Sequence, residues 1–341
     1  MNNNVKDGHL FKQSYANTRT TGKEQYYTRP DVVDECMRAV VKAIPDYRER
    51  TILEPAGGTG EFIKGFDRAG ISSDNVISYD IDPRHPDVEK GNYLEKKFKA
   101  KDLVSITNPP FGRNSELARK FFRHGADHCE FICYLVPRSW KKWTVRNSLP
   151  SNFHLISETT MPKESFYLDS DSEEINDSGV LQTVFQIWQR KEDPRPTIKI
   201  PDHGLIKKIQ PKMKKVMSHR KIKQKLFEKE AIGYKEFEID CYEKVKVNRP
   251  DYVTGANFEI IVFGHSCGTC RTINIDKEDA KTTTMYLKVD RQDVKDALRK
   301  IDYSKYYNNV SYVQALSIQE INYELNEYFG LENFKFEEGM Q

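Results

Sequence analysis

The sequence predicts an α/β fold, in which helices cover both faces of a parallel sheet, followed by a smaller α+β module. Short β-rich runs alternate with helical stretches between residues 51 and 147, which is the pattern of a parallel sheet with helical connections. A glycine-rich segment separates the first of these runs from its helix. Pro194 and Pro196 resist both helix and central strand, so they indicate a domain boundary.

The predicted elements follow one another in a regular order through the first part of the chain. A helix at 31–41 begins after Pro30, whose fixed φ suits the first turn of a helix. Segments predicted as strand or helix then follow at 51–54, 60–69, 76–81, 103–107, 115–124, 131–136 and 139–147. Apolar runs at 153–157 and 180–188 are candidates to complete the sheet. The main domain is therefore expected to span residues 25–193.

Two regions flank this domain. Residues 1–24 are polar and have no clear period, so we expect them to form an arm. Residues 194–341 form a second module, which opens with a lysine-rich run at 207–229. Such a run is typical of a solvated helix face or of a surface that contacts phosphates. Strands are predicted in this module at 258–263 and 285–289, and helices near 291–301 and 317–328.

Composition limits the class of protein. Hydrophobic residues make up 38% of the 341 residues and charged residues 31%, which suits a buried core but not a membrane span. The polar N-terminus lacks the basic-then-apolar pattern of a signal peptide, so we expect an intracellular protein with reduced thiols. His265, Cys267 and Cys270 fall short of the four ligands that a structural zinc ion needs, and no metal is expected.

A glycine-rich segment connects the first predicted strand to its helix. Gly57, Gly58 and Gly60 let the backbone turn tightly and approach a ligand closely. The segment lacks the Lys-Ser/Thr ending of a P-loop and the Gly-x-Gly-x-x-Gly spacing of dinucleotide-binding folds. Glu54 and Glu61 flank it, and their carboxylates would repel a pyrophosphate. The expected ligand is a nucleotide-like molecule that carries positive charge.

S-adenosylmethionine (AdoMet) meets this description, because it combines an adenosine with an ammonium and a sulfonium group and has no phosphate. The second predicted strand supplies Asp80, whose carboxylate can accept hydrogen bonds from both ribose hydroxyls. The candidate cofactor-binding residues in these two segments are Glu54, Pro55, Ala56, Gly57, Gly58, Gly60, Phe62, Asp80 and Ile81.

A rigid tetrapeptide follows the strand predicted at 103–107. It reads Asn108-Pro109-Pro110-Phe111, and its two prolines make a stiff turn. The turn comes at the carboxyl end of a parallel strand, where open α/β sheets bind their ligands. This position predicts that the tetrapeptide holds part of a substrate.

The order of these motifs resembles that of the N6-adenine-specific DNA methyltransferases over roughly residues 25–190. In that family an AdoMet loop comes first, an Asn- or Asp-Pro-Pro-aromatic motif second and a target-recognition region last. The segment Tyr26-Tyr27-Thr28-Arg29-Pro30 also matches the part of the family that closes over the methionine end of AdoMet, so Tyr27 and Thr28 are candidate cofactor-binding residues. Where the family often has Asp to bind the adenine amine of AdoMet, this chain has Asn92. The resemblance implies a Rossmann-like class I AdoMet-dependent methyltransferase sheet.

The resemblance also implies that Asn108, Pro109, Pro110 and Phe111 are the catalytic residues. The adenine amine is a poor nucleophile, because its lone pair is delocalised into the ring. Asn108 Oδ1 and the Pro109 carbonyl could accept its two N–H bonds and draw them out of the ring plane. Phe111, where the family commonly has Tyr, would stack on a base flipped out of the helix. Phe166 is a candidate for the other face of the base, the alternative being core packing.

DNA is the expected partner, and the enzyme would act alone or as the modifying half of a restriction system. The basic run at 207–229 would supply phosphate contacts. Basic and aromatic residues after the strand at 131–136 would handle the extruded nucleotide, namely Arg138, Trp140, Lys141, Lys142, Trp143 and Arg146. Alternatives are methylation of adenine in RNA, methylation of a protein glutamine, or a non-catalytic nucleic-acid-binding protein that kept the fold. The basic module disfavours glutamine, and the intact motifs disfavour a non-catalytic protein.

Overall fold

The computed structural model of this protein describes residues 26–167, 181–229, 234–274, 276–307 and 314–336. The predicted arm at 1–24 lies outside these described residues. The described chain divides into two compact units, the first containing residues 26–199 with 335–336 and the second residues 200–307 with 314–334. Within the described ranges, every helix is too short or too polar to span a lipid bilayer.

The first unit contains short strands and helices that alternate from its beginning. Its strands are β1 (Tyr27–Thr28), β2 (Ile52–Glu54), β3 (Val76–Asp80), β4 (Glu89–Lys90), β5 (Leu103–Thr107), β6 (Cys129–Pro137), β7 (Phe153–Thr160), β8 (Phe166–Tyr167) and β9 (Thr183–Arg190). Its α-helices are α1 (Pro30–Ala43), α2 (Glu61–Arg68), α3 (Glu116–Gly125) and α4 (Trp143–Asn147). These bounds agree with most of the predicted segments to within a few residues.

A seven-stranded sheet with the order β4-β3-β2-β5-β6-β9-β7 forms the centre of this unit. Strands β2 to β6 run parallel, whereas β9 runs antiparallel to both β6 and β7. The chain proceeds outward from β2 in one direction and from β5 in the other, so the order reverses between these two strands. In open α/β sheets the crevice at such a switch point is the usual ligand site. The predicted α/β, Rossmann-like sheet is confirmed.

The burial of the elements explains why these segments adopt this structure. Every residue of β2 and β5 is buried, which is expected of parallel strands covered on both faces. Helix α1 begins with Pro30 in its first turn and buries one face through Val33, Cys36 and Val40. The apolar periodicity of the sequence therefore accounts for both kinds of element.

One predicted helix is divided in the structure. The segment at 139–147 contains a 3₁₀ turn, Arg138–Lys141, followed by the short helix α4. Lys142 between them has an extended backbone, with φ −67° and ψ 135°, which interrupts the helical hydrogen bonds. The change of direction lets Trp140 enter the core.

The division between the two units falls after Lys199, whereas the sequence predicted a boundary at Asp193. The residues in between are bonded to the first unit. Arg195 donates from its side chain to the carbonyls of Phe153 and Leu149 at 3.0 Å, and the Ile198 amide donates to Asn147 Oδ1 at 3.0 Å. Pro194 and Pro196 thus end the regular structure of the sheet, but the chain remains attached to it for several more residues.

The second unit combines small antiparallel sheets with three helices in its described residues, as an α+β module should. Its strands are β10 (Lys207–Ile209), β11 (Met213–Lys229), β12 (Tyr234–Pro250), β13 (Tyr252–Val253), β14 (Phe258–Ile261), β15 (Cys270–Thr272), β16 (Lys277–Glu278) and β17 (Thr284–Lys288). Its helices are α5 (Gln292–Lys300), α6 (Ser304–Tyr307) and α7 (Ile318–Phe329). Helix α7 starts with a capping box between Ser317 and Glu320 and ends at Gly330, which has φ +61°.

The interpretation of the basic run at 207–229 as a helix face is wrong. Strands β10 and β11 occupy this run, and β11 pairs with β12 along all 17 of its residues. Lysine has no strong preference for strands, so pairing with the next strand, β12, overrides the local propensity here. The sequence signal for the partner strand is the alternation of Val245 and Val247 with polar residues.

Candidate functional site

A cavity of about 510 Å³ opens at the carboxyl ends of β2, β3 and β5, next to the switch point of the sheet. This volume lies in the usual range for a small-molecule site. Thirteen of the predicted residues line it, namely Tyr27, Thr28, Pro55, Ala56, Gly57, Gly58, Phe62, Asp80, Ile81, Asn92, Asn108, Pro109 and Pro110. The predicted residues Glu54, Gly60 and Phe111 do not line it. Residues from five separate segments of the chain therefore meet in one cavity.

The glycine-rich segment forms a tight loop against β3. The Gly57 amide donates to the Tyr79 carbonyl at 2.9 Å, and a Cβ on Gly57 would lie 2.4 Å from Ser78 Oγ. Gly58 has φ +47°, a conformation that favours glycine. Gly60 has φ +77° and a Cβ there would meet the His85 ring at 2.3 Å, so Gly60 shapes the turn without lining the cavity. These glycines therefore pack closely against the side chains of Ser78 and His85, and two of them, Gly57 and Gly58, also line the cavity.

Asp80 is held at the end of β3 by two backbone amides. Its Oδ2 accepts from Gly58 N–H at 2.9 Å, and its Oδ1 accepts from Asp82 N–H at 2.8 Å. A carboxylate oxygen has more than one acceptor site, so both oxygens can still accept hydrogen bonds from a ligand. Asp80 thus presents a fixed pair of acceptors to the cavity.

Glu54 lies completely buried at the end of β2, behind the cavity wall. Burial raises the pKa of Glu54 to about 8, although hydrogen bonds from the Thr107 hydroxyl and the Ala56 amide act in the opposite direction. Its Oε2 atom is buried and accepts no hydrogen bond from the described residues. A carboxyl with this pKa is largely protonated at neutral pH, which weakens the repulsion of a pyrophosphate that we predicted for Glu54.

Glu61 is the carboxylate that does line the cavity. It begins helix α2 and forms ion pairs with Lys64 at 3.2 Å and Arg68 at 3.5 Å. Its side chain is 15% exposed. Of the two acidic residues that flank the glycine loop, Glu61 is thus the one whose charge can act on a ligand.

Asn108 lines the cavity with its amide in a defined orientation. Its Nδ2 donates to the Tyr26 carbonyl at 3.1 Å and to Thr28 Oγ1 at 3.0 Å. A carbonyl can only accept hydrogen bonds, so the NH₂ group of Asn108 must face Tyr26. The Oδ1 atom is buried and has no partner among the described residues. Asn108 therefore keeps an unused, buried hydrogen-bond acceptor, and its amide is fixed by Tyr26 and Thr28.

Phe111 does not offer a free ring face. It is 2% exposed and packs against Tyr26, with ring centroids 4.8 Å apart. Tyr26 in turn packs against Phe166 at 5.2 Å. The Phe111 carbonyl accepts from the Leu117 amide at 3.1 Å, which closes the turn before α3. Tyr26, unlike Phe111, lines the cavity, although no role for Tyr26 was predicted from the sequence.

Asn92 lines the cavity but already has hydrogen bonds of its own. Its Oδ1 accepts from the Leu94 amide at 3.2 Å, and its Nδ2 donates to Glu95 Oε1 at 2.7 Å. It caps a 3₁₀ turn at Tyr93–Glu95. Ile81 nearby on the cavity wall is 59% exposed, which is unusual for a large apolar side chain. This part of the cavity combines an apolar surface with a few polar atoms.

Two of the residues predicted to handle a nucleotide are buried in the core. Trp140 is fully buried and packs against Phe122, with ring centroids 6.0 Å apart. Arg146 is also buried and forms an ion pair with Glu158 at 3.2 Å. Lys141 binds the same carboxylate at 3.0 Å. The prediction for Trp140 and Arg146 is wrong, because the strand that carries Glu158 folds over this segment.

The cysteine pair of the second unit does not have the geometry of a metal site. Cys270 Sγ donates to the carbonyls of Gly268 at 3.4 Å and Leu298 at 3.3 Å. Burial raises the pKa of the Cys270 thiol to about 12, which disfavours the thiolate that a metal needs. No group of three His, Cys, Asp or Glu side chains within the described ranges could hold a metal ion.

Comparisons with known proteins give remote similarities. No family model and no curated protein matches the sequence. A solved structure from Listeria monocytogenes, assigned to the class I S-adenosylmethionine-dependent methyltransferases, is 14% identical over 50% of this chain and 63% of its own, with a TM-score of 0.34. The 23S rRNA methyltransferase ErmE is 15% identical over 49% of this chain and 71% of its own, with a TM-score of 0.32. A Thermoplasma acidophilum protein is 16% identical over 48% of this chain and 98% of its own, also with a TM-score of 0.32.

These identities and TM-scores are too low to transfer an activity to this chain. The described topology and the geometry of the cavity are therefore the basis for assigning a function.

Proposed function

We propose that this chain is an AdoMet-dependent methyltransferase that transfers a methyl group to N6 of adenine in DNA. The observation that carries the proposal is the unused Oδ1 acceptor of Asn108, a residue that lines the same cavity as the glycine loop and Asp80. One end of the cavity suits a nucleoside, and the other suits a planar amino group. A methyl donor that contains adenosine would satisfy the first requirement, and the amine of a target adenine would satisfy the second.

AdoMet is the methyl donor in this proposal. Asp80 would accept hydrogen bonds from the ribose hydroxyls, since its oxygens are fixed by Gly58 and Asp82. The exposed Ile81 side chain would pack on the adenine ring of the cofactor and become buried. Glu61, a carboxylate on the cavity wall that also pairs with Lys64 and Arg68, would face the cationic methionine end. The donor therefore has a complementary group for each of its parts.

Asn108 would orient the target amine in the reaction. One N–H of the adenine amine would donate to Asn108 Oδ1 and the other to the Pro109 carbonyl. AdoMet would supply an electrophilic methyl carbon on its sulfonium sulfur, and the nitrogen lone pair, drawn out of the ring plane, would bond to that carbon while the carbon–sulfur bond breaks and S-adenosylhomocysteine leaves. The positive charge moves to N6, which afterwards loses a proton to water. Asn cannot act as a base, so its contribution is positional and electrostatic.

Tyr26 changes the expected stacking arrangement. Its ring packs against both Phe111 and Phe166, and of these three rings only Tyr26 lines the cavity. A tyrosine ring stacks on a base as well as a phenylalanine ring does. We therefore assign stacking on the base to Tyr26, which requires that its contact with Phe111 or Phe166 open when the base enters.

The acceptor can be identified with tritiated AdoMet offered together with DNA, RNA and protein. We expect label in the DNA, as N6-methyladenine after digestion. Label found only in RNA or in protein glutamine would replace the proposed substrate. Absence of label from all three, in protein that binds AdoMet, would indicate a non-catalytic nucleic-acid-binding protein.

The role of Asn108 can be tested in the same assay. Asn108→Ala should lower the rate by at least about 100-fold, because removal of one well-oriented acceptor at a reacting centre has effects of this size. AdoMet binding should change little. Asn322→Ala, on helix α7 of the second unit, is the matched control and should retain the full rate. An Asn108→Ala rate close to that of the control would remove Asn108 from the mechanism.

A further inference from the structure

The hairpin of β11 and β12 is an extended two-stranded ribbon. Each strand has 17 residues, and pairing runs from Met213 opposite Pro250 to Lys229 opposite Tyr234. At about 3.4 Å per residue the ribbon is roughly 55 Å long. No third strand joins it within the described part of the chain. A two-stranded ribbon of this length adds little to a hydrophobic core, so its length points to contact with something else.

The two faces of the ribbon differ in the part near its base, residues 213–219 and 242–250. Directly opposed residues share a face, so Lys215, Met217 and His219 lie on the same face as Asn248, Lys246 and Lys244. All six of these side chains are exposed. On the other face Val216, Val245 and Val247 are half-buried. The base of the ribbon therefore has a basic face and a mixed face, on which the three valines lie beside the charged residues Lys214, Glu243 and Arg249.

The charge on the basic face is not neutralised by neighbours. Lys215, Lys244 and Lys246 take part in no ion pair with the described residues, and no acidic residue of the base lies on this face. By contrast Lys214, on the other face, is paired with Asp251 at 2.7 Å. The only acidic residue in the base itself, Glu243, also lies on the other face. The three ammonium groups are thus available for negative charge from a partner.

Large apolar groups are exposed among these lysines. Met217 is 56% exposed and Tyr242, which lies on the same face, is 67% exposed. Exposed large apolar side chains gain nothing from contact with water, whereas they can contact base edges and thymine methyl groups. The basic face therefore combines phosphate-binding charge with groups that can touch bases.

We propose that the basic face of the β11–β12 ribbon binds in the major groove of duplex DNA. Its residues Lys215, Lys244 and Lys246 would form ion pairs with backbone phosphates. The major groove of B-form DNA, about 12 Å wide, admits a two-stranded ribbon. The major groove of A-form RNA is deep and too narrow for this. The ribbon thus selects duplex DNA over duplex RNA. The inference rests on the proposed function for the choice of nucleic acid as partner.

The test measures binding of the full chain to a 30-base-pair DNA duplex by fluorescence anisotropy, without AdoMet, between about 50 and 200 mM salt. Each phosphate contact contributes about 0.9 to the slope of log K against log salt. The triple variant Lys215→Ala/Lys244→Ala/Lys246→Ala should lower the magnitude of that slope by about 2.7. Over this roughly fourfold range of salt, its loss of binding affinity should then be about 40-fold smaller than that of the wild type. The triple change to Arg at the same positions should keep the slope. A duplex RNA of the same sequence should bind more weakly than the DNA.

The control variant Lys207→Ala/Lys281→Ala/Lys300→Ala removes the same charge from exposed positions outside the ribbon. A slope change equal in the two triple variants would overturn the proposal, as would RNA binding that equals DNA binding. Melting curves of the variants establish that each is folded. Asn108→Ala should keep the full slope, so that loss of methyl transfer and loss of ribbon binding are distinguishable.

Discussion

Glu54 should make the stability of the fold depend on pH in a way that can be calculated. Burial raises its pKa from the ordinary value of 4.5 to about 8, so the folded state favours the protonated carboxyl. The stabilisation is fully present below pH 4.5 and is lost as the pH rises through 8. The two pKa values differ by about 3.5, and at about 1.4 kcal/mol for each the free energy of unfolding should fall by about 5 kcal/mol over this interval.

The variant Glu54→Gln removes this dependence while keeping the shape of the side chain. Its Oε1 can still accept from the Thr107 hydroxyl and the Ala56 amide, which both bind Oε1 of Glu54. Urea unfolding at pH 5, 7 and 9 gives the free energy of unfolding of both proteins. The difference between wild type and variant isolates Glu54, because the other titrating groups are common to both.

We expect the wild type to lose several kcal/mol relative to Glu54→Gln between pH 5 and pH 9. Glu49→Gln, at an exposed position, is the control and should follow the wild type throughout. Parallel curves for the wild type and Glu54→Gln would refute the reasoning, because they would mean that Glu54 has the same pKa in the folded and unfolded chain.

Three further substitutions test the cavity. Thr28→Val removes one of the two acceptors of Asn108 Nδ2, so we expect a roughly 5- to 10-fold lower kcat. Thr28→Ser should restore the kcat. An unchanged kcat in Thr28→Val would count against this contact. Gly57→Ala brings a Cβ to 2.4 Å from Ser78 Oγ and should lower the free energy of unfolding by about 1–3 kcal/mol. An unchanged urea midpoint would mean that the loop can shift to accommodate the added methyl group. Asp80→Asn should weaken AdoMet binding by about 10-fold or more in calorimetry, and an equal Kd would exclude the ribose contact.

The sheet and the polypeptide turns at the cavity were predictable from the sequence, because they depend on local requirements. Gly58 at φ +47° and the paired Pro109 and Pro110 are backbone constraints that the residue types themselves impose. The buried strands β2 and β5 are apolar runs of strand length, which identifies them without knowledge of their neighbours. The position of Asp80 at the end of the next strand follows from the same pattern.

Other parts of the site could not be predicted, because they depend on residues that are distant in the chain. The orientation of Asn108 is set by Tyr26, 82 residues earlier, and the same ring covers Phe111. Arg146 looked like a surface cation, but Glu158 neutralises it in the interior. The lysine-rich run at 207–229 has no residue pattern of its own that predicts its pairing with β12.

The sequence by itself determined which segments form the sheet, where its loops turn and which residue types reach the cavity. Only the tertiary structure decided the burial of Glu54, the unused acceptor of Asn108 and the packing of Tyr26 against Phe111. The physical reason is the same in each case. Backbone conformation and periodic burial are properties of a short segment, whereas desolvation and hydrogen-bond pairing depend on what the rest of the chain brings alongside it.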